Sequence, residues 1–166
     1  FIYMMQQALE HEYHEHPEFT GSGTTWTSAY LVSAFAIIAQ VGDSPSFLWR
    51  KGVFSRITTD HTIEQEFIAA GVAPTIAGRY SHMLTRCLGY ETKSARPDVY
   101  HVRLRPGDQL LLCTDGLTDM VDACQIAAAL DDSADAQTAC NRLISEALAA
   151  GGKDNVTAVL ARARAR

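Results

Sequence analysis

Apolar residues recur at Phe1, Met5, Leu9 and Tyr13, with polar residues filling the positions between them. A period of four predicts an amphipathic helix that packs one face on a core. The helix should end near His16, because Pro17 disfavours helical geometry in the residue before it. Gly21-Ser22-Gly23 marks a loop. Residues 24–33 and 34–41 are then rich in β-branched, aromatic and aliphatic side chains and predict neighbouring strands. Residues 46–50 and 53–57 predict a hairpin around the turn Lys51-Gly52. A short helix over residues 63–70 can be capped by Asp60 or Thr62 and stopped by Gly71. Residues 72–83 carry no period and predict an irregular surface excursion. Residues 98–104 alternate as a half-buried strand, followed by the turn Arg105-Pro106-Gly107-Asp108. Four apolar residues, Leu110 to Cys113, predict a strand buried on both faces, paired across that turn with the strand before it. Helices are predicted over 124–130 and 136–149. In the second, Ala139, Leu143 and Ala147 share a face, and Gly151-Gly152 ends it. Residues 156–161 predict a last strand, and Arg162-Ala163-Arg164-Ala165-Arg166 a solvated basic tail.

Composition narrows the classes. A chain of 166 residues, 47% hydrophobic and 20% charged, can bury a substantial core as one globular domain. The longest apolar runs, such as residues 34–39, are too short to span a bilayer, so no membrane partner is expected. A net charge of -5 disfavours nucleic acid, whose phosphates attract basic surfaces. Cys87, Cys113, Cys124 and Cys140 include no Cys-x-x-Cys pair, which suits a reducing, cytoplasmic setting better than a zinc ribbon or disulfide framework. The run His11 to His16 misses the zinc-protease pattern, because Glu15 stands where the second histidine is required.

Candidate chemistry centres on the acids that follow buried strands. Asp115 and Asp119 lie at the end of the Leu110–Cys113 run with Gly116 between them, and on a helix they would be four apart and could converge. Carboxylates at such a place are costly unless a cation neutralises them, although Asp115 could instead cap a helix. Asp43 follows Val41-Gly42 and Asp154 follows Gly152-Lys153 in the same way. Three strand boundaries, each with an acid and a nearby glycine, suggest one shared site. Hard oxygen ligands favour Mg²⁺ or Mn²⁺.

Six motifs in register resemble the type 2C, metal-dependent protein serine/threonine phosphatases (the PPM family), in a compact, bacterial-like form. They are Gly23-Thr24-Thr25, Val41-Gly42-Asp43-Ser44, Thr59-Asp60-His61-Thr62, Leu84-Thr85-Arg86-Cys87-Leu88-Gly89, Thr114-Asp115-Gly116-Leu117-Thr118-Asp119 and Gly152-Lys153-Asp154-Asn155-Val156-Thr157. The resemblance implies an α+β fold, a four-layer α-β-β-α sandwich of two mainly antiparallel sheets. It implies that Asp115 and Asp154 hold paired catalytic Mn²⁺ or Mg²⁺ ions, and that Asp43 with Asp115 holds a third, weaker one. Asp119 reads as a helix-start acid beside them. Residues 62–83 match a flap linked to substrate choice. The implied reaction is hydrolysis of phosphoserine and phosphothreonine in proteins, opposing a serine/threonine kinase, with a metal-activated water as nucleophile and no catalytic serine or cysteine.

The family's opening strands, with an acidic ligand and a metal-bridging Asp-Gly pair, have no counterpart here, since no aspartate precedes Asp43. The chain therefore reads as a single, partial domain over residues 1–166, incomplete at its front. Weak Mn²⁺ binding, little turnover and self-association through uncovered sheet edges are expected. A non-catalytic binding or regulatory domain on the same fold is the alternative.

Overall fold

In the computed structural model, residues 1–89 and 95–165 are described; Arg166 of the expected basic tail lies outside them. The elements in chain order are α1 (Ile2–Glu15), β1 (Trp26–Val32), β2 (Phe35–Val41), β3 (Ser46–Arg50), β4 (Val53–Arg56), α2 (Ile63–Ala69), α3 (Pro74–Ala77), β5 (Asp98–Arg103), β6 (Gln109–Cys113), α4 (Asp115–Thr118), α5 (Ala123–Asp132), α6 (Ala136–Ala149) and β7 (Ala158–Arg162). The strands form two antiparallel sheets, one in the order β1-β2-β5 and one in the order β4-β3-β6-β7. This is the mixed helical, two-sheet fold that the resemblance implied. The residues cluster into two compact units. The first holds Phe1–Ser28, Ala39–Asp43 and Thr59–Val99; the second holds Ala29–Ile38, Ser44–Thr58 and Tyr100–Arg166.

In the first unit, α1 stops at Glu15 before the His16-Pro17 pair, as the proline requires. Its buried stripe begins at Ile2, however. Phe1 is 79% exposed, while Ile2 and Leu9 pack with Trp26, Val41 and Leu88. At the far end of the helix the Tyr13 hydroxyl donates to the Ser22 carbonyl at 2.6 Å. The Thr62 hydroxyl caps α2 by accepting from the Gln65 N–H, and Gly71 follows in the left-handed region, φ 84°. Residues 72–83 are less irregular than expected. Pro74, with its φ already suited to a first turn, starts α3, and a 3₁₀ turn, Gly78–Tyr80, continues it. An isolated bridge between Thr62 and Leu84 closes the base of this excursion.

In the second unit, β6 explains its own unbroken apolar run. Leu111 and Cys113 face a cluster that includes Ile126, Ala129 and Leu130 of α5 and Ala139, Leu143 and Ala147 of α6. Leu110 and Leu112 point the other way, into Ala36, Ile38, Tyr100, Val102 and Ala161. Each fully buried leucine contributes about 1.5–3 kcal/mol relative to exposure. The Lys51-Gly52 turn takes φ values of 50° and 81°, the left-handed pair a two-residue hairpin needs.

Two sequence expectations fail here. β5 does not pair with β6 across the Pro-Gly-Asp turn: β3 and β7 occupy both edges of β6, and β5 joins β2 in the other sheet. The turn is a crossover between sheets, held by a carboxylate rather than a ladder. Asp108 is 3% exposed, accepts from Arg50 Nε at 2.9 Å and Nη2 at 2.6 Å, and also accepts from the Arg105 N–H at 2.7 Å. The bonds from Arg50 hold its carboxyl below the usual range, against the opposing effect of burial. Arg162, expected in a solvated tail, is the last residue of β7. Its guanidinium donates to Gln109 Oε1 at 2.8 Å, the Ser133 carbonyl at 3.0 Å and the Leu130 carbonyl at 3.1 Å. It thereby satisfies carbonyls at the C-terminal end of α5 that the helix itself cannot bond.

Candidate metal centre

Asp115 is the first residue of α4, after Thr114 in extended geometry, so it stands inside the helix start rather than at the cap position. Its Oδ1 accepts from the Gly116 N–H at 2.8 Å. The helical turn is closed by the Asp119 N–H donating to the Asp115 carbonyl at 2.8 Å. Asp115 and Asp119 thereby bring carboxylate oxygens within 4.8 Å of one another. The structure thus joins to Asp115 a residue that the sequence placed beside the site.

Asp154 lies in the turn before β7, and its Oδ1 accepts from the Asn155 N–H at 2.6 Å. Three hydrogen bonds tie this turn to the end of β6. The Thr114 N–H donates to the Thr157 carbonyl at 3.1 Å, the Thr157 N–H donates to Thr114 Oγ1 at 3.0 Å, and that hydroxyl donates to the Asn155 carbonyl at 3.0 Å. Gly116 is where the two segments meet. A Cβ there would stand 2.4 Å from the Asn155 carbonyl oxygen and 3.4 Å from the Asp154 carbonyl carbon. A glycine between the acids is therefore what lets the backbones carrying Asp115 and Asp154 approach.

Asp98, Asp108 and Asp132 each pair with an arginine, at 2.9, 2.6 and 3.3 Å. Among the described residues Asp115, Asp119 and Asp154 form no such pair. Nearby carboxylates without a counter-charge repel and attract a cation. Oxygen donors of this kind fit hard divalent ions.

Asp43 belongs to the first unit and is introduced by Gly42, φ 101°. A Cβ at Gly42 would lie 2.4 Å from Thr25 Cγ2, so no other residue fits without movement. The Gly42 N–H donates to His61 Nδ1 at 3.1 Å, and the Gly42 carbonyl accepts from the His61 N–H at 3.0 Å and Gln40 Nε2 at 2.9 Å. Behind His61, Asp98 Oδ2 stands 3.1 Å from Nε2, and Arg86 Nη1 donates to Asp98 Oδ1 at 2.9 Å. Burial alone would raise the Asp98 carboxyl, but the bonds from His61 and Arg86 outweigh it and hold it below the usual range. His61 and Arg86 lie inside recognisable motifs, but their network with Asp98 leaves no signal in the sequence. Asp98 lies 37 residues beyond His61 at the first position of a strand, and no spacing rule links the two.

Fold and site together define an α+β domain with carboxylates at its strand ends. Comparison with known proteins is specific: the chain matches protein phosphatase 2C over residues 3–156, and it belongs to that family. It is 32% identical over 146 residues to the serine/threonine phosphatase stp of Listeria innocua, covering 86% of this chain and 58% of that protein. Its fold superposes on the Mycobacterium tuberculosis serine/threonine phosphatase PstP/Ppp with a TM-score of 0.87 and 31% identity, over 96% of this chain and 68% of that one. The catalytic domain of PstP in complex with 2 manganese ions matches with a TM-score of 0.82 and 34% identity, over 95% and 66%. The chain thus spans 58% of the length of the Listeria relative. Among the described residues no helix is long and apolar enough to cross a membrane.

Proposed function

We propose that this chain carries part of a Mn²⁺- or Mg²⁺-dependent phosphatase centre that removes phosphate from serine and threonine in proteins. Asp115 and Asp154 are its metal ligands and Asp119 supports Asp115; in the first unit, Asp43 is a candidate ligand in its own right. The observation that carries this reading is the contact at Gly116, which brings the backbones bearing Asp115 and Asp154 together, with no arginine paired to either among the described residues. The manganese complex of the related PstP catalytic domain supports the choice of ion. A bound divalent ion supplies an acidic water and charge stabilisation for the phosphoryl group. The chain's own contribution is to hold the carboxylates: Thr114 fixes the end of β6 to the turn before β7, and Gly116 keeps the gap narrow. We place the protein in the cytoplasm, opposite a serine/threonine kinase; no disulfide joins its four cysteines, which suits a reducing compartment.

Titration of Mn²⁺ into the chain, followed by electron paramagnetic resonance, tests the site. Asp115→Asn or Asp154→Asn should weaken binding about tenfold or more, and any Mn²⁺-dependent hydrolysis of a phosphothreonine peptide should fall with it. Unchanged Mn²⁺ affinity in both variants would overturn the assignment and favour a binding domain on the same fold.

A further inference from the structure

The peptide that leads into Asp43 is gripped more heavily than a strand end requires. Its carbonyl, that of Gly42, accepts from two donors, the His61 N–H and Gln40 Nε2, while the Gly42 N–H is taken by His61 Nδ1. Gln40 is completely buried, and with its Nε2 committed to Gly42 its Oε1 has no hydrogen-bond partner among the described residues. An apolar side chain would fill that place without leaving a buried acceptor unmade.

His61 is 5% exposed, and its ring is set by its neighbours. The Gly42 N–H can only donate, so Nδ1 accepts, and the ring proton stands on Nε2, facing Asp98 Oδ2 at 3.1 Å. Arg86 holds the other Asp98 oxygen at 2.9 Å and so keeps that carboxylate in place. A carboxylate behind an imidazole selects its tautomer and orientation. Here the selected tautomer points its acceptor at the backbone next to a candidate metal ligand.

We infer that His61, oriented by Asp98 and Arg86, is a positioning residue that fixes the Gly42–Asp43 peptide and so presents the Asp43 carboxylate to a divalent cation. The inference rests on the reading of Asp43 as a ligand and adds the device that holds it there. His61 itself touches the backbone, not the ion, and its effect on metal affinity is indirect.

The test uses the whole chain, Mn²⁺ alone as probe, and three variants. Asn at position 61 places an amide oxygen close to where Nδ1 stands and can still accept from Gly42; Gln sends its polar atoms past that point. His61→Asn loses the bond to Asp98, whereas the Gln amide of His61→Gln reaches the place of Nε2 and can still donate there, so a merely structural role carried by the Asp98 bond makes His61→Asn the more damaged variant. The expected result is a split. His61→Asn keeps hydrogen exchange at the Gly42 amide and Mn²⁺ affinity within about threefold of wild type, whereas His61→Gln speeds that exchange and weakens Mn²⁺ about tenfold. Equal effects in the two variants, or unchanged Gly42 exchange in His61→Gln, overturn the inference. Asp43→Ala separates the two layers. If it leaves Mn²⁺ affinity at the wild-type value while His61→Gln still frees the Gly42 amide, the grip exists, but Asp43 is not a ligand and the inference falls with that reading.

Discussion

Gly116→Ala is the substitution on which two physical effects predict opposite signs. Gly116 lies within α4 and does not have a positive φ, so on helix propensity alone alanine should stabilise the protein by about 0.4–1 kcal/mol. The structure predicts the reverse. The new Cβ would meet the Asn155 carbonyl oxygen at 2.4 Å and its carbon at 3.1 Å. A relaxed carbon–oxygen contact needs about 3.3 Å, so the segment carrying Asn155 must retreat by roughly 0.9 Å. The Thr114 Oγ1 to Asn155 bond, now 3.0 Å, would then pass beyond hydrogen-bond reach. Overpacking costs about 1–3 kcal/mol and a lost bond about 1 kcal/mol, partly offset by propensity. The expected net loss is about 1–3 kcal/mol, read as a lower midpoint in urea with an unchanged slope. A second signature accompanies it. Asp154 moves with Asn155, so Mn²⁺ affinity should drop about tenfold although every carboxylate is intact. A variant as stable as wild type or more so, with wild-type Mn²⁺ affinity, would refute the reasoning.

Two other perturbations probe the scaffold. Asp108→Asn should cost about 2 kcal/mol at pH 7, less than a fully buried pair because Arg50 keeps 28% side-chain exposure. Since Arg50 holds the Asp108 carboxyl below its unfolded value near 4, its contribution is complete above that pH and is lost as pH falls through the folded value. The stability gap between wild type and Asp108→Asn, measured by urea unfolding, should therefore be constant from pH 7 to about 5 and close in stronger acid; a gap that widens in acid contradicts the assignment. Arg162→Ala should cost about 1–3 kcal/mol by removing the bonds to Gln109 Oε1 and the Ser133 carbonyl and leaving the Leu130 carbonyl only its bond from Gln109 Nε2, whereas exposed Arg164→Ala should stay within about 0.5 kcal/mol in the same thermal melt.

What could be read from the chain was what depends on neighbours in sequence. The period of α6, the Lys51-Gly52 turn and the apolar run of β6 each carry their own signal, and each element stands where that signal put it. The failures are decisions made at a distance. The Pro-Gly-Asp turn looks like a hairpin locally, and only the occupancy of both β6 edges by β3 and β7 turns it into a crossover. Arg162 looks like a tail residue until Ser133 and Leu130 present it with carbonyls. In the site, the acids that end strands were legible because glycine and strand pattern announce them. The partnership of His61 with Asp98 was not, because a buried polar network leaves no periodic trace.

The place of β6 between β3 and β7 also sets an order of events for folding. Its partners come from residues 46–50 and 158–162, so neither edge closes through a short loop. The bonds from Thr114 to Asn155 and Thr157 span about forty residues, and pairings of such separation form slowly because loop closure precedes any gain. A nascent chain can thus build the β3–β4 hairpin early, yet it cannot assemble the Asp115–Asp154 neighbourhood until β7 has been synthesised and docked. On the metal assignment proposed above, cation affinity at these two acids would be a late reporter of folding, appearing only when the last strand has found its edge.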